Sequence, residues 1–216
     1  RAKSDTFAGF SAGASYTQNA SSSDPANATE TANNYTGWGV QADYTGVKNL
    51  YIGAAMQALK SNNISPTATV ASPTPAPWGN AEGGTNTQDN QTYAAATYDF
   101  GILKAYAQWS SRKASNQNNS GYYAKRNAQQ IGVRSFITPT IEAWGSAGLG
   151  RYSAFGEGQP TVNFNAWQLG SNYWLSKRTN LYAIFGAVGT SNFSVGTSNA
   201  VSSNTNAYAI GVRHTF

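Results

Sequence analysis

Cysteine is absent from this chain of 216 residues, which excludes disulfides. With a single histidine beside that absence, no Cys/His set with metal-binding spacing can be assembled. A cysteine-free chain remains compatible with an oxidising compartment. Charged residues make up only 11% of the chain, Met occurs once and Leu is scarce, so the residues that favour helices are in short supply. No run of about 18 apolar residues occurs, so no helix is expected to cross a bilayer. The net charge of +5 comes from scattered Lys and Arg, with nothing denser than the pairs Lys125-Arg126 and Lys177-Arg178, and no nucleic-acid motif accompanies it. Also lacking are a Gly-rich phosphate cradle, a calcium loop, and any recognisable Ser or acid partner for His214. Neither a cofactor nor a metal nor an enzyme is therefore expected. The chain begins at Arg1 with neither Met nor a charged-then-apolar leader, and so reads as mature or truncated at its N-terminus.

What is abundant is Gly (22), Tyr (13), and Ser, Thr, Asn and Ala, a profile for strands and loops. The ending, Tyr208 to Phe216, puts bulky residues at even positions and small or polar ones at odd positions, the signature of a strand with one apolar and one wet face. A bare aromatic terminal strand would be a sticky edge in a soluble protein, but it is a seam in a closed barrel. Period-two segments recur near 10–17, 35–45, 50–60, 92–99, 103–113, 122–137, 141–152, 164–176, 180–191 and 206–216. Short links at 46–49, 100–102, 138–140 and 176–179 alternate with long ones at 18–34, 61–91, 114–121, 153–163 and 192–205. Sorting of tight turns to one side and long loops to the other is what an outer-membrane barrel requires. The expected fold is all-β, a transmembrane antiparallel up-and-down barrel of about ten strands in this chain, with both chain ends on the short-turn side.

The faces are clearest in three segments. Trp38, Val40, Ala42 and Tyr44 oppose Gly39, Gln41 and Asp43; Leu103, Ala105, Ala107 and Trp109 oppose Lys104, Tyr106, Gln108 and Arg112; Trp167, Leu169, Tyr173 and Leu175 oppose Gln168, Gly170, Asn172 and Trp174. One face suits lipid and the other water. Phe10, Tyr44, Tyr98, Phe100, Tyr173 and Phe216 lie near the short turns or the chain ends, where a headgroup-level aromatic girdle would stand.

Four runs carry a more specific likeness: Thr6 to Tyr16 (TFAGFSAGASY), Tyr98-Asp99-Phe100-Gly101, the hairpin Leu175 to Tyr182 (LSKRTNLY), and the ending Gly211-Val212-Arg213-His214-Thr215-Phe216. In this order they resemble the trimeric general porins of Gram-negative β-proteobacteria, over nearly all of the chain outside the long loops. The resemblance implies a barrel of about sixteen strands in the whole family member, so residues 1–216 read as a single β-barrel domain that lacks the family's N-terminal third and its inward-folded constriction loop. It further implies location in the bacterial outer membrane, a homotrimer, and a water-filled channel for passive diffusion of small hydrophilic solutes and ions. The expected partners are outer-membrane lipid and lipopolysaccharide, the permeating ions and solutes, and the barrel-assembly machinery, whose recognition signal Tyr208, Val212 and Phe216 resemble.

Alternation places Lys104, Arg112, Arg134 and Arg213 on the lumen side, partly offset by Asp43 and Glu142, which predicts a mild preference for anions. Arg134 is the clearest, because Ile131 and Val133 define the opposite face of its strand. Arg151 has the parity of its lipid-facing neighbours, and a bulge would be needed to turn it inward. Lys177 and Arg178 fall in a tight turn. The competing reading is a secreted or surface β-protein, an adhesin or carbohydrate-binding module acting through its long loops. The Asn-x-Ser/Thr triplets at Asn19, Asn27, Asn34, Asn63, Asn90, Asn118 and Asn192 would then be glycan acceptors, and the Pro-rich connection 61–91 the contact surface or lid.

Overall fold

The computed structural model describes residues 1–19, 32–64, 87–117, 123–154, 161–195 and 198–215. The strands are β1 (Ala2–Lys3), β2 (Phe10–Asn19), β3 (Ala32–Tyr44), β4 (Leu50–Ile64), β5 (Thr87–Asp99), β6 (Lys104–Asn116), β7 (Tyr123–Thr138), β8 (Ile141–Ala154), β9 (Thr161–Ser176), β10 (Thr179–Thr190), β11 (Phe193–Val195), β12 (Ser198–Ala200) and β13 (Ser203–His214). No helix occurs among the described residues. The sheet is antiparallel throughout and 11-stranded, β1 to β10 in chain order and then β13, with β11 and β12 forming a separate small hairpin. Each neighbour in space is thus the neighbour in sequence along the meander, as in an up-and-down barrel.

The four short links stand where the sequence places them, and local chemistry explains why. Asp99 accepts the Gly101 backbone N–H at 2.8 Å, an Asx turn that reverses the chain between β5 and β6. Thr138 accepts the backbone N–H of Ile141 at 3.0 Å across the β7–β8 turn, and Ser176 accepts that of Arg178 at 3.2 Å before β10.

Two expectations are corrected. A further strand precedes the first expected one, since Ala2 and Lys3 pair with Ala14 and Gly13 of β2. Phe7 and Phe10 exchange both backbone hydrogen bonds at 2.8 Å around Ala8 (φ 48) and Gly9 (φ 85), a two-residue primed turn. A side chain at Gly9 would meet the Gly46 backbone at 2.2 Å. The sheet therefore has eleven strands, and the N-terminal end lies partway up the wall, away from the short-turn side. The sequence offered too little of β1 for a periodic signal. Second, the strands run well into the expected loops: β3 and β4 pair from Tyr44↔Ile52 as far as Ala32↔Ile64, and β5 begins at Thr87. Alternation fades there because Asn, Ser, Thr and Gln stand on both faces, while the backbone ladder needs no side chain to continue. The Pro-rich part of the 61–91 connection, residues 65–86, lies outside the described residues.

No large side chain is fully buried among the described residues, and Ile131 (67% exposed), Leu169 (58%) and Ile210 (80%) are open on the apolar face. A single sheet with so much uncovered apolar surface is untenable in water and natural against hydrocarbon. The sheet is open, with β1 at one margin and β13 at the other, so the strands of this chain do not close on one another as a small barrel.

Candidate functional site: the polar face of the sheet

Because pairing runs without a slip between the turn regions, the face of every strand residue follows from its register. Lys104 of β6 stands opposite Arg134 of β7, and Arg134 opposite Trp144 of β8, two residues from Glu142. Glu142 stands opposite Asn172 of β9, and Arg213 of β13 opposite Asn180 of β10. Toward the other margin, Asp43 pairs with Gly53 and Gly53 with Ala95, which shares its face with Asp89 and Asp99. Lys104, Arg112, Arg134, Arg213, Asp43 and Glu142 accordingly lie on one and the same face, in agreement with their parity in the sequence.

The side chains on that face form two kinds of contact. The first is a hydrogen-bonded amide row: Gln57 donates to Gln91 at 3.0 Å, and Tyr93 donates to Gln108 at 2.9 Å. Gln108 then donates to Gln130 at 2.6 Å, and Gln130 to Ser146 at 2.9 Å. These bonds cross from β4 to β5 and from β5 to β8 at mid-height, and leave neutral polar groups along the wall. The second is a set of charge pairs. Arg112 forks onto Asp89, its Nε 3.0 and 2.9 Å from the two carboxylate oxygens and its Nη2 on one of them as well. Arg134 Nε reaches Glu142 Oε1 at 2.9 Å, and Asn172 donates to Glu142 Oε2 at 2.8 Å. Asn180 in turn donates to Asn172 at 2.8 Å. Glu142 is buried (4% exposed) while the Arg134 side chain is 53% exposed, so the pair presents its cationic end to the open side. Near the other margin Asp43 accepts from Tyr51 at 2.6 Å and Gln41 at 3.2 Å, and Arg1 donates to Gln41 at 3.3 Å.

The same face carries groups that periodicity alone did not single out. Asp89 fell in an expected loop, and Asp99 beside a turn. Arg126 stacks near Tyr152 and Phe164, with its guanidinium carbon 5.8 and 5.4 Å from the ring centroids. Its even parity, shared with Gln130 and Arg134, was the available signal. Trp144 is an aromatic on a wet face, and the glycine opposite accommodates it: a Cβ at Gly170 would lie 2.2 Å from Trp144 Cζ2.

On the apolar face, Phe10 packs on Tyr44 (centroids 4.4 Å apart) and Tyr98 on Phe100 (4.6 Å) at the short-turn end. Toward the loop end Tyr16 stands opposite Trp38, while Trp109 and Trp167 stand near the middle of their strands. Tyr208 and Val212 share the apolar face through Phe185 and Leu181; Phe216 lies outside the described residues. His214, on the same side as Val212, has Nδ1 2.8 Å from the Thr179 hydroxyl. Arg151 also stays on the apolar side, since the pairing of β8 with β7 and β9 runs through it without a bulge.

A family model described as Gram-negative porin matches residues 2–193. The chain belongs to this porin family. It is a protein of the bacterial outer membrane, and these are the strands that cross that membrane. Among solved structures it is similar to the anion-selective porin from Comamonas acidovorans, with 19% identity, a TM-score of 0.62, and coverage of 99% of this chain and 58% of that one. It is also similar to OmpT, an outer membrane protein of Vibrio cholerae, in its in-vitro folded form (11% identity, TM-score 0.61, 98% and 62% covered). The trimer form of OmpT aligns at 10% identity with a TM-score of 0.57, covering 93% and 64%. A sequence search of curated proteins gives no significant match. At these identities the structures speak for the fold, and the chain spans about three-fifths of their length.

Proposed function

We propose that this chain forms most of the wall of a water-filled diffusion channel for small hydrophilic solutes and ions, with a mild preference for anions. The observation that carries the reading is the polar face itself. It presents hydrogen-bonded amides and paired charges across neighbouring strands, backed by an apolar face suited to lipid. Among the described residues Lys3, Lys104, Arg112, Arg126, Arg134 and Arg213 lie there against Asp43, Asp89, Asp99 and Glu142, so a small cationic excess remains on this part of the face after the close pairs are set aside. The anion-selective porin among the similar structures points the same way.

The chain is read as one barrel domain whose remaining strands come from the N-terminal third of the family barrel, which would join its two margins. By likeness to the trimeric form of its neighbour, it works as a homotrimer. Tyr208, Val212 and Phe216 are the proposed signal for the barrel-assembly machinery. A channel with no catalytic role is the proposed activity, in keeping with a histidine that stands on the lipid side beside a threonine. The test is single-channel conductance and reversal potential, in a planar bilayer under a salt gradient, of the closed barrel that this chain forms together with the strands joining its two margins. Stepwise conductance with a reversal potential of anionic sign supports the reading; a folded, inserted protein that does not conduct, or that prefers cations, overturns it.

A further inference from the structure

Between the amide row and β13 the polar face sinks into a depression of about 560 Å³. That volume falls within the range of small-molecule sites, roughly 300–1,000 Å³. Along one row the register sets Gln130 of β7 beside Gly148, then Ala166, then Val188, so the floor is low between an amide and an aliphatic wall. At the loop-side margin Phe164 stands opposite Gly150. A Cβ at Gly150 would meet Phe164 Cζ at 2.3 Å, so the ring leans across the neighbouring strand instead of standing up from its own. Tyr152 packs against that ring with centroids 4.7 Å apart, and the Arg126 guanidinium carbon lies 5.4 Å from its centre.

The amides at the edge have bonding capacity left over. Gln108 accepts from Tyr93 and donates to Gln130, and Gln130 donates to Ser146. A carboxamide carries two N–H groups and two oxygen lone pairs, so Gln108 and Gln130 each keep one N–H and one lone pair for a guest. Gln168 stands exposed across the floor. A donor beside an acceptor suits a hydroxyl, which is both, whereas a simple ion engages one half and is repelled by the other. Charge points the same way. Among the described residues that line the depression Arg126 alone is charged, and its guanidinium lies against two rings, while the neighbouring Arg112 and Arg134 are paired with carboxylates. We infer that this depression is a subsite for small neutral saccharides, whose hydroxyls engage the amides and whose ring C–H face rests on Phe164. The inference rests on the reading of this face as a channel wall, and it names a class of solute that the wall holds in passing.

The test measures binding of cellobiose, a neutral disaccharide, of sorbitol, a polyol with no ring, and of gluconate, a hydroxylated anion. Each is titrated against the closed barrel folded in detergent and followed by NMR saturation transfer. Cellobiose is expected to bind saturably and sorbitol about tenfold more weakly. Phe164→Ala should weaken cellobiose binding about tenfold and Gln130→Leu about fivefold, with Gln88→Leu, on the outward face of β5, unchanged. Heat-resistant electrophoretic mobility reports folding. Phe164→Leu keeps the bulk and loses the flat ring, with a loss of about fivefold expected, and serves if the alanine variant does not fold. Absence of saturable binding, equal binding of sorbitol, or undiminished binding by the folded Phe164 and Gln130 variants overturns the proposal. So does tighter binding of gluconate that Arg126→Gln abolishes, which would make the depression an anion site. A barrel that binds cellobiose but carries no ion current removes the diffusion reading and leaves the subsite, and one that conducts without binding does the reverse.

Discussion

Replacing either member of the Arg134–Glu142 pair should move ion selectivity in opposite directions. Intact, the pair is close to neutral at the wall, with the guanidinium half-exposed and the carboxylate buried. Arg134→Ser leaves an unpaired anion at this point of the wall and Glu142→Gln an unpaired cation. An ion passing about 8 Å from the unpaired charge feels roughly 0.5–2 kcal/mol between the dielectric limits of water and a protein surface. Screening over a Debye length of about 8 Å at 0.15 M salt leaves about a third of that, roughly 0.2–0.8 kcal/mol. Because the charge raises the energy of one ion and lowers that of the other, the anion-to-cation permeability ratio should fall by a factor of roughly 2 to 15 in Arg134→Ser and rise by a similar factor in Glu142→Gln. In 1 M salt, where the Debye length is about 3 Å, both effects should nearly vanish. Glu142 keeps Asn172 as a donor in the first variant, and water can take the place of the exposed guanidinium, so the stability cost stays near the low end of about 1–3 kcal/mol. Reversal potentials at both salt concentrations make the measurement. Shifts of the same sign in the two variants, or none at low salt, would refute the placement of this pair on the channel wall.

Two further predictions concern the faces and the packing. Ile131→Arg places a cation on the apolar face amid the hydrocarbon and should lower the free energy of folding into bilayers by about 2–4 kcal/mol, whereas Gln130→Arg, one residue away on the polar face, should cost little. Urea titration in vesicles compares the two, and equal costs would contradict the assignment of faces. Gly170→Val forces the Trp144 ring off the neighbouring strand, since even a Cβ would approach it to 2.2 Å. A destabilisation of about 1–3 kcal/mol should come with a red shift of tryptophan emission, and an unshifted spectrum would mean that the ring rests elsewhere.

Much of this was legible in the chain because a membrane strand carries its facing in plain parity. Lys104, Arg134 and Arg213 keep the polar parity, and Ile131, Val133 and Val212 the apolar one, from sequence through to register. The short turns fix the hairpins they close, as Asp99 and Lys104 show by pairing directly across theirs. What could not be read needs relations between strands that are far apart in sequence. Asp89 is tied to Arg112 across the strand pair β5–β6, yet it sits where polar residues on both faces erase the alternation. The amide row from Gln57 to Ser146 is drawn from five strands, and no window of sequence contains it.

Arg151 shows what parity leaves out. Its apolar parity conflicts with its charge only if every residue of that parity meets hydrocarbon, and a bulge then becomes the remedy. The register supplies a second coordinate, height, and it places Arg151 above Leu149 and the Trp109 row, with Asn127 and Asn163 as its cross-strand neighbours. At that height the outward face has already left the hydrocarbon, and an amide or a cation there costs little. A charge that keeps apolar parity near a strand's loop end is then a marker of where the membrane ends. Four such markers, Lys60, Lys113, Lys125 and Arg151 on β4, β6, β7 and β8, with no acid among the described strand residues of that face, draw the membrane boundary along this part of the wall.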